Sequence, residues 1–126
     1  MKLRYAIPAT LVLALSGAAF AQAPAAGQKL TGFSAWSKLV GNTVTGKVDG
    51  KEHNEYYMDN GTAKALEDSK LSTGKWVLEG ANVCFTYPGS GKECYVIEVT
   101  DDVATFSSKT HGSFRLTIVQ GNAKKL

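Results

Sequence analysis

"VCFTYPGSGKECYV", Val83–Val96, carries both cysteines of the chain, Cys84 and Cys94, on either side of Pro88-Gly89-Ser90-Gly91. In an extended chain Val83, Phe85 and Tyr87 fall on one side, and Cys84 and Thr86 on the other. Pro-Gly-Ser-Gly is turn chemistry, so the stretch predicts a β-hairpin. Pairing Cys84 directly with Cys94 sets Val83 against Tyr95. Phe85 and Tyr87 then share a face with Ile97 and Val99.

The neighbouring turns extend that face. A two-residue Gly80-Ala81 turn pairs Leu78 with Val83 and Trp76 with Phe85. A two-residue Asp101-Asp102 turn pairs Val99 with Ala104 and Ile97 with Phe106. A turn centred on Thr110 pairs Phe106 with Phe114 and Ala104 with Leu116, and Ile118 follows in alternation. Each register is chosen by turn chemistry alone, yet all deliver one continuous apolar face. A one-residue slip would flip a whole strand, so the agreement supports every register in the set.

Upstream, Asp49-Gly50 and Asp59-Asn60-Gly61 divide Thr43–Leu66 into shorter strands. There Tyr56 and Met58 are expected to point inward with Ala63 and Ala65. In total, about eight strands at roughly ten-residue spacing predict an all-β antiparallel up-and-down meander. Closing it as a barrel removes the exposed edges; a strongly curved half-barrel is the alternative. A short helix precedes the strands: in "GFSAWSKLVGN", Phe33, Trp36, Leu39 and Val40 fall on one helical face and Gly41 sits at the C-terminal cap. That face is expected to plug the core.

The start of the chain decides the compartment. Lys2 and Arg4 precede an apolar run from Ala6 to Leu15, and Ala19-Phe20-Ala21 has the small-residue pattern of a cleavage site. Residues 1–21 therefore read as a secretory signal peptide, residues 22–30 as a flexible mature N-terminus, and residues 31–126 as a single β-meander domain. The apolar run is shorter than the roughly 20 residues of a membrane span, so no integral membrane segment is expected after cleavage. The expected location is the periplasm or the exterior.

Charge excludes one class of partner. The whole chain has 14 Lys and Arg against 11 Asp and Glu, a formal net charge of +3. Lys2 and Arg4 leave with the signal, so the mature chain is close to neutral. Its basic residues are scattered apart from Lys124-Lys125, whereas nucleic-acid binding wants a concentrated patch. No nucleic-acid partner is expected.

The residues that carry chemistry are few. Only two histidines are present, and no G-x-S-x-G elbow surrounds a serine. Asp101-Asp102 is explained by a turn, and the glycines sit in β-turns rather than in a phosphate-binding loop. No catalytic residues and no cofactor are expected. His53 and Glu55 lie two apart on one face of a strand, and His111 would complete a metal site if its turn came near. Spacing alone supports that site, so His53 and Glu55 read as exposed strand residues and no metal is expected. C-x9-C matches neither the C-x-x-C of redox centres nor a haem-attachment motif. In an exported chain an even pair placed across a hairpin reads as a structural disulfide.

Gly74-Lys75-Trp76, Leu78-Glu79-Gly80, Val83-Cys84, Tyr87-Pro88 and Cys94-Tyr95 form a G-x-W…G…C…C pattern. It resembles small exported alphaproteobacterial proteins of unknown function, and "LVGNTVTG" and "EYYMDNGTAK" are similar to the same group. Some of those proteins carry a dihydrodipicolinate reductase label. That enzyme family has an N-terminal nucleotide-binding fingerprint, where this chain has a signal sequence. The meander with a G-x-W strand is also similar to lipocalin-like and small protease-inhibitor barrels.

Two functions follow as expectations. Large aromatic side chains on the inner face suggest a filled barrel, and hence a non-catalytic envelope protein acting through its surface as an interaction or inhibitor-like module. The alternative is a carrier of a small apolar ligand, in the barrel or at its mouth. Trp36, His53, Glu55, Tyr56 and Tyr57 are the candidate ligand or interaction residues.

Overall fold

The Cys84–Cys94 hairpin forms in the expected register. In a computed structural model describing residues 26–126, strand β6 (Asn82–Thr86) pairs antiparallel with β7 (Glu93–Thr100), setting Val83 opposite Tyr95 and Cys84 opposite Cys94. The two cysteines are joined by a disulfide, with their Cα atoms 3.9 Å apart. Residues 1–25, which include the expected signal peptide and the first part of the flexible N-terminus, lie outside the described residues.

The remaining elements are, in chain order, β1 (Lys29–Thr31), α1 (Gly32–Leu39), β2 (Thr43–Val48), β3 (Lys51–Tyr57), β4 (Thr62–Glu67) and β5 (Lys70–Glu79) before the hairpin. After it come β8 (Val103–Ser108) and β9 (Gly112–Val119). Every pair expected from Trp76 onward recurs: Leu78 with Val83, Trp76 with Phe85, Ile97 with Phe106, Val99 with Ala104, Phe106 with Phe114 and Ala104 with Leu116. At the β2–β3 turn, Asp49 and Gly50 have φ of 51° and 76°. Two successive positive values make the type I′ geometry whose twist matches the strands it joins.

β2 pairs with β9 through Val44–Ile118, which closes the meander into an eight-stranded barrel rather than a half-barrel. β1 is additional. It pairs with the second half of β7, beyond the point where β6 ends, so Lys29 and Leu30 are strand residues where a flexible segment was expected.

One end of the barrel is plugged by α1. Ala35, Trp36 and Leu39 are buried, and the Trp36 ring lies 4.7 Å from Tyr57, 5.1 Å from Trp76 and 5.8 Å from Phe85 between centroids. Phe33 departs from the expected face and is 72% exposed. After Leu39 the helix gives way to the barrel rim: Val40 N–H donates to Trp36, but Gly41 N–H donates to the Tyr57 carbonyl instead. The C-terminal segment holds this corner from outside. Thr43 Oγ1 donates to the Gly121 carbonyl and accepts from Ala123 N–H, and Asn42 accepts from Gly121 N–H.

The first strands correct the expected register by one residue. Tyr57, not Tyr56, pairs with Ala63, and Glu55 pairs with Ala65. His53, Glu55 and Tyr57 therefore face inward and Tyr56 faces outward, while Met58 lies in the turn and accepts the Trp76 indole N–H at 2.7 Å. The four-residue connection from Met58 to Gly61 sets this register.

Candidate functional site

Large side chains fill the helix end of the barrel, but the interior is not filled throughout. Where β4 and β5 face the interior, the paired positions Ala65 and Ser72 are small and leave space that large residues would occupy. The result is a cavity of about 370 Å³, opening at the end away from α1. Its rim includes Asp49, Ser90 and His111 from turns at that end and Lys70 at the start of β5, and Tyr57, Phe85, Tyr95, Phe106 and Phe114 contribute aromatic walls. The volume lies at the lower end of the range for small-molecule sites.

A buried carboxylate is the chemical centre of this cavity. Glu55 is only 7% exposed, and Val44 beside it is fully buried. The Tyr57 hydroxyl donates to Glu55 Oε1, and the Tyr87 hydroxyl donates to Oε2 at 2.8 Å. His53 Nε2 stands 3.6 Å from Oε2, and its Nδ1 lies 4.0 Å from Glu67. A carboxylate taken from water needs such donors, because leaving it bare would cost several kcal/mol.

The tyrosines are held as donors. Burial, followed by the charge of Glu55 and the hydrogen bond to it, pushes the Tyr57 and Tyr87 hydroxyls well above the ordinary phenol range. Burial works to lower the pKa of His53, but the nearby Glu55 carboxylate, with the charge of Glu67, outweighs it and raises the net value. Across the cavity, burial and a 3.0 Å hydrogen bond to Glu93 likewise raise Tyr95. Glu93 also pairs with His111 at 3.0 Å.

The placement of Tyr87 explains the glycine of the Gly74-Lys75-Trp76 run. A Cβ at Gly74 would lie 2.6 Å from Tyr87 Cδ1 and 2.5 Å from the Thr86 carbonyl oxygen. Bare backbone is therefore needed where the Tyr87 ring crosses β5, and that crossing brings its hydroxyl to Glu55. Trp76, two residues on, packs against Trp36 at the opposite end. One short motif thus serves both ends of the barrel.

Of the candidate residues, His53, Glu55 and Tyr57 come together at the cavity. Trp36 belongs to the buried plug and Tyr56 to the outer surface. Two roles were missed from the sequence, those of Tyr87 and of the Glu93–His111 pair. The signal for Tyr87 was present, since alternation from Phe85 already placed it on the inner face. His111 does line the cavity with His53 and Glu55, but it is engaged with Glu93. Among the described residues, three potential metal-ligand atoms come within 4.8 Å only at Glu79, Cys84 and Cys94. There the two sulfurs are bonded to each other and are not thiolates.

Among the described residues no helix is long and apolar enough to cross a membrane. Comparison with known proteins finds no matching family model, no matching curated protein and no matching solved structure.

Proposed function

We propose that this barrel is a non-catalytic binding protein of the periplasm or exterior, taking a small amphiphilic molecule into its open end. The observation that carries the reading is Glu55: a buried carboxylate, held by two tyrosine hydroxyls, lining a 370 Å³ cavity with aromatic walls. A few convergent polar groups among apolar walls are what orient a ligand in a pocket. The expectation of a surface-acting module rested on a filled interior, and the cavity removes that support. The carrier alternative changes too, since a purely apolar ligand would leave the polar groups without a task.

The disulfide and the signal-like N-terminus support an oxidising compartment.

Native mass spectrometry of the protein, purified from a host that exports it, tests the reading. A retained small molecule is expected, and Ser72→Phe, which fills the cavity from β5, should abolish retention while the fold melts as before. Retention unchanged by Ser72→Phe and by a second filling variant, Ala65→Leu, overturns the cavity as the site. A mass with no adduct under gentle conditions returns the protein to the surface-acting reading.

A further inference from the structure

The cavity is far more acidic than the chain that makes it. Asp49, Glu55, Glu67 and Glu93 line it, four of the 11 carboxylates, against Lys70 alone from 14 Lys and Arg. Resting on the binding function proposed above, we infer that the ligand is a small organic cation, an ammonium group on an apolar body, with Glu55 as its counter-charge.

Three features support that class over the others. The firm partners of Glu55 are neutral hydroxyls, so no permanent cation of the described residues, arginine or lysine, is paired with it. Each oxygen accepts one hydroxyl bond, whereas a carboxylate offers about four lone-pair sites, so accepting capacity remains. The aromatic side chains of Tyr57, Phe85, Tyr95 and Phe106 on the walls suit the same ligand, because ring faces attract cations in a water-poor site. Lys51 pairs with Glu67 at 3.3 Å and His111 with Glu93, but an anion would still meet Glu55 and Asp49 in a cleft whose low-dielectric walls focus their field. A neutral apolar molecule would use the rings and ignore the acids.

The one neighbour that can cancel Glu55 is His53, and it does so only when it carries a proton. Protonated His53 faces Glu55 on its own strand and Glu67 on β4, the latter also paired with Lys51, with Asp49 and Lys70 at the rim and the Glu93–His111 pair on the far wall. A cation beside Glu55 therefore competes with the His53 proton. Binding releases that proton, so affinity falls as the solution is acidified through the His53 titration.

Calorimetric titration of the intact mature protein with two matched probe series tests this: phenethylammonium, phenethyl alcohol and phenylacetate, then octylammonium, octanol and octanoate. Each ammonium is expected to bind at least about tenfold tighter than its alcohol, a gap of about 1.4 kcal/mol, with the carboxylates weakest. Glu55→Gln should remove the ammonium preference while alcohol binding persists. Tyr87→Phe keeps the carboxylate, so it should keep the preference and show that loss in Glu55→Gln is not general damage. Ammonium affinity should drop between about pH 8 and about pH 5.5, and the drop should shrink in His53→Gln. Alcohols or carboxylates binding as tightly as ammonium would overturn the cation inference and leave the cavity as a binding site. An ammonium preference that survives Glu55→Gln would overturn the role of Glu55. No binding by any probe at millimolar concentration would overturn the inference together with the binding function it rests on.

Discussion

The two halves of the barrel wall use the same strand geometry to opposite ends. From β6 to β9 the inward positions are Val83, Phe85, Tyr95, Ile97, Val99, Ala104, Phe106, Phe114, Leu116 and Ile118, nearly all large and apolar. From β2 to the first half of β5 they include Val44, Gly46, Val48, His53, Glu55, Tyr57, Ala63, Ala65, Ser72 and Gly74, mostly small or polar, with two valines and one aromatic. An eight-stranded barrel is just wide enough for side chains to fill it. Filling therefore depends on size at both walls. Large residues on one wall facing small ones on the other leave a cavity, and the polar residues of the thin wall give it chemistry.

That comparison breaks first at the filled wall. Ile97 is 1% exposed, so Ile97→Ala should lower unfolding free energy by about 2–5 kcal/mol in urea titration, with an unchanged denaturant slope. Ala65→Val, on the thin wall, should cost under about 1.5 kcal/mol because the added methyls enter open volume. Equal costs at the two sites would mean that the walls do not differ.

The disulfide comes next. Removing it by Cys84→Ser with Cys94→Ser should cost roughly 2.5–3 kcal/mol from loop entropy, with the β spectrum retained. Thiol labelling of the native exported protein should be negative, and free thiols would dismiss the staple.

Gly74→Ala sharpens the comparison at the seam between the walls. The forced shift of the Thr86 carbonyl and the Tyr87 ring should cost about 1–3 kcal/mol and weaken retention of any bound molecule. A variant as stable as the parent, with ligand retained, would show that the Tyr87 crossing is not needed.

The smallest effect is the proton on His53. Its folded pKa is raised, because Glu55 and Glu67 outweigh burial, so its stabilisation is fully present below the unfolded pKa and is lost as pH rises through the folded value. Melting curves should show the advantage of the parent over His53→Gln narrowing from about pH 6 to about pH 9. An advantage that widens over that range contradicts the Glu55–His53 pairing.

The thick wall was legible for a local reason. Its strands alternate large apolar residues with polar ones, the cysteine pair sets the β6–β7 register, and the other turns are short enough to fix the pairing of their neighbours. Around β3 that signal fails, because Asn54 and Tyr56 are no more polar than His53, Glu55 and Tyr57. Alternation there cannot choose a face, and the reading slipped by one residue. The same slip hid the site, since it turned Tyr57 outward and left Glu55 as an exposed strand residue. Phe33 failed differently: helical periodicity marked it as apolar, but α1 enters the barrel only through Ala35, Trp36 and Leu39.

The sequence by itself determined the meander, the Cys84–Cys94 register and the apolar face from Trp76 to Ile118, because turns and period-two alternation act over a few residues. Tertiary structure decided the rest. Closure needs β2 to meet β9, partners more than 70 residues apart with no turn between them to announce the pairing. The cavity is a difference in volume between opposite walls, and Glu55 becomes a buried carboxylate only when Tyr57 from its own strand and Tyr87 from a distant loop converge on it. Such properties depend on distances across the barrel, which no local pattern of residues encodes.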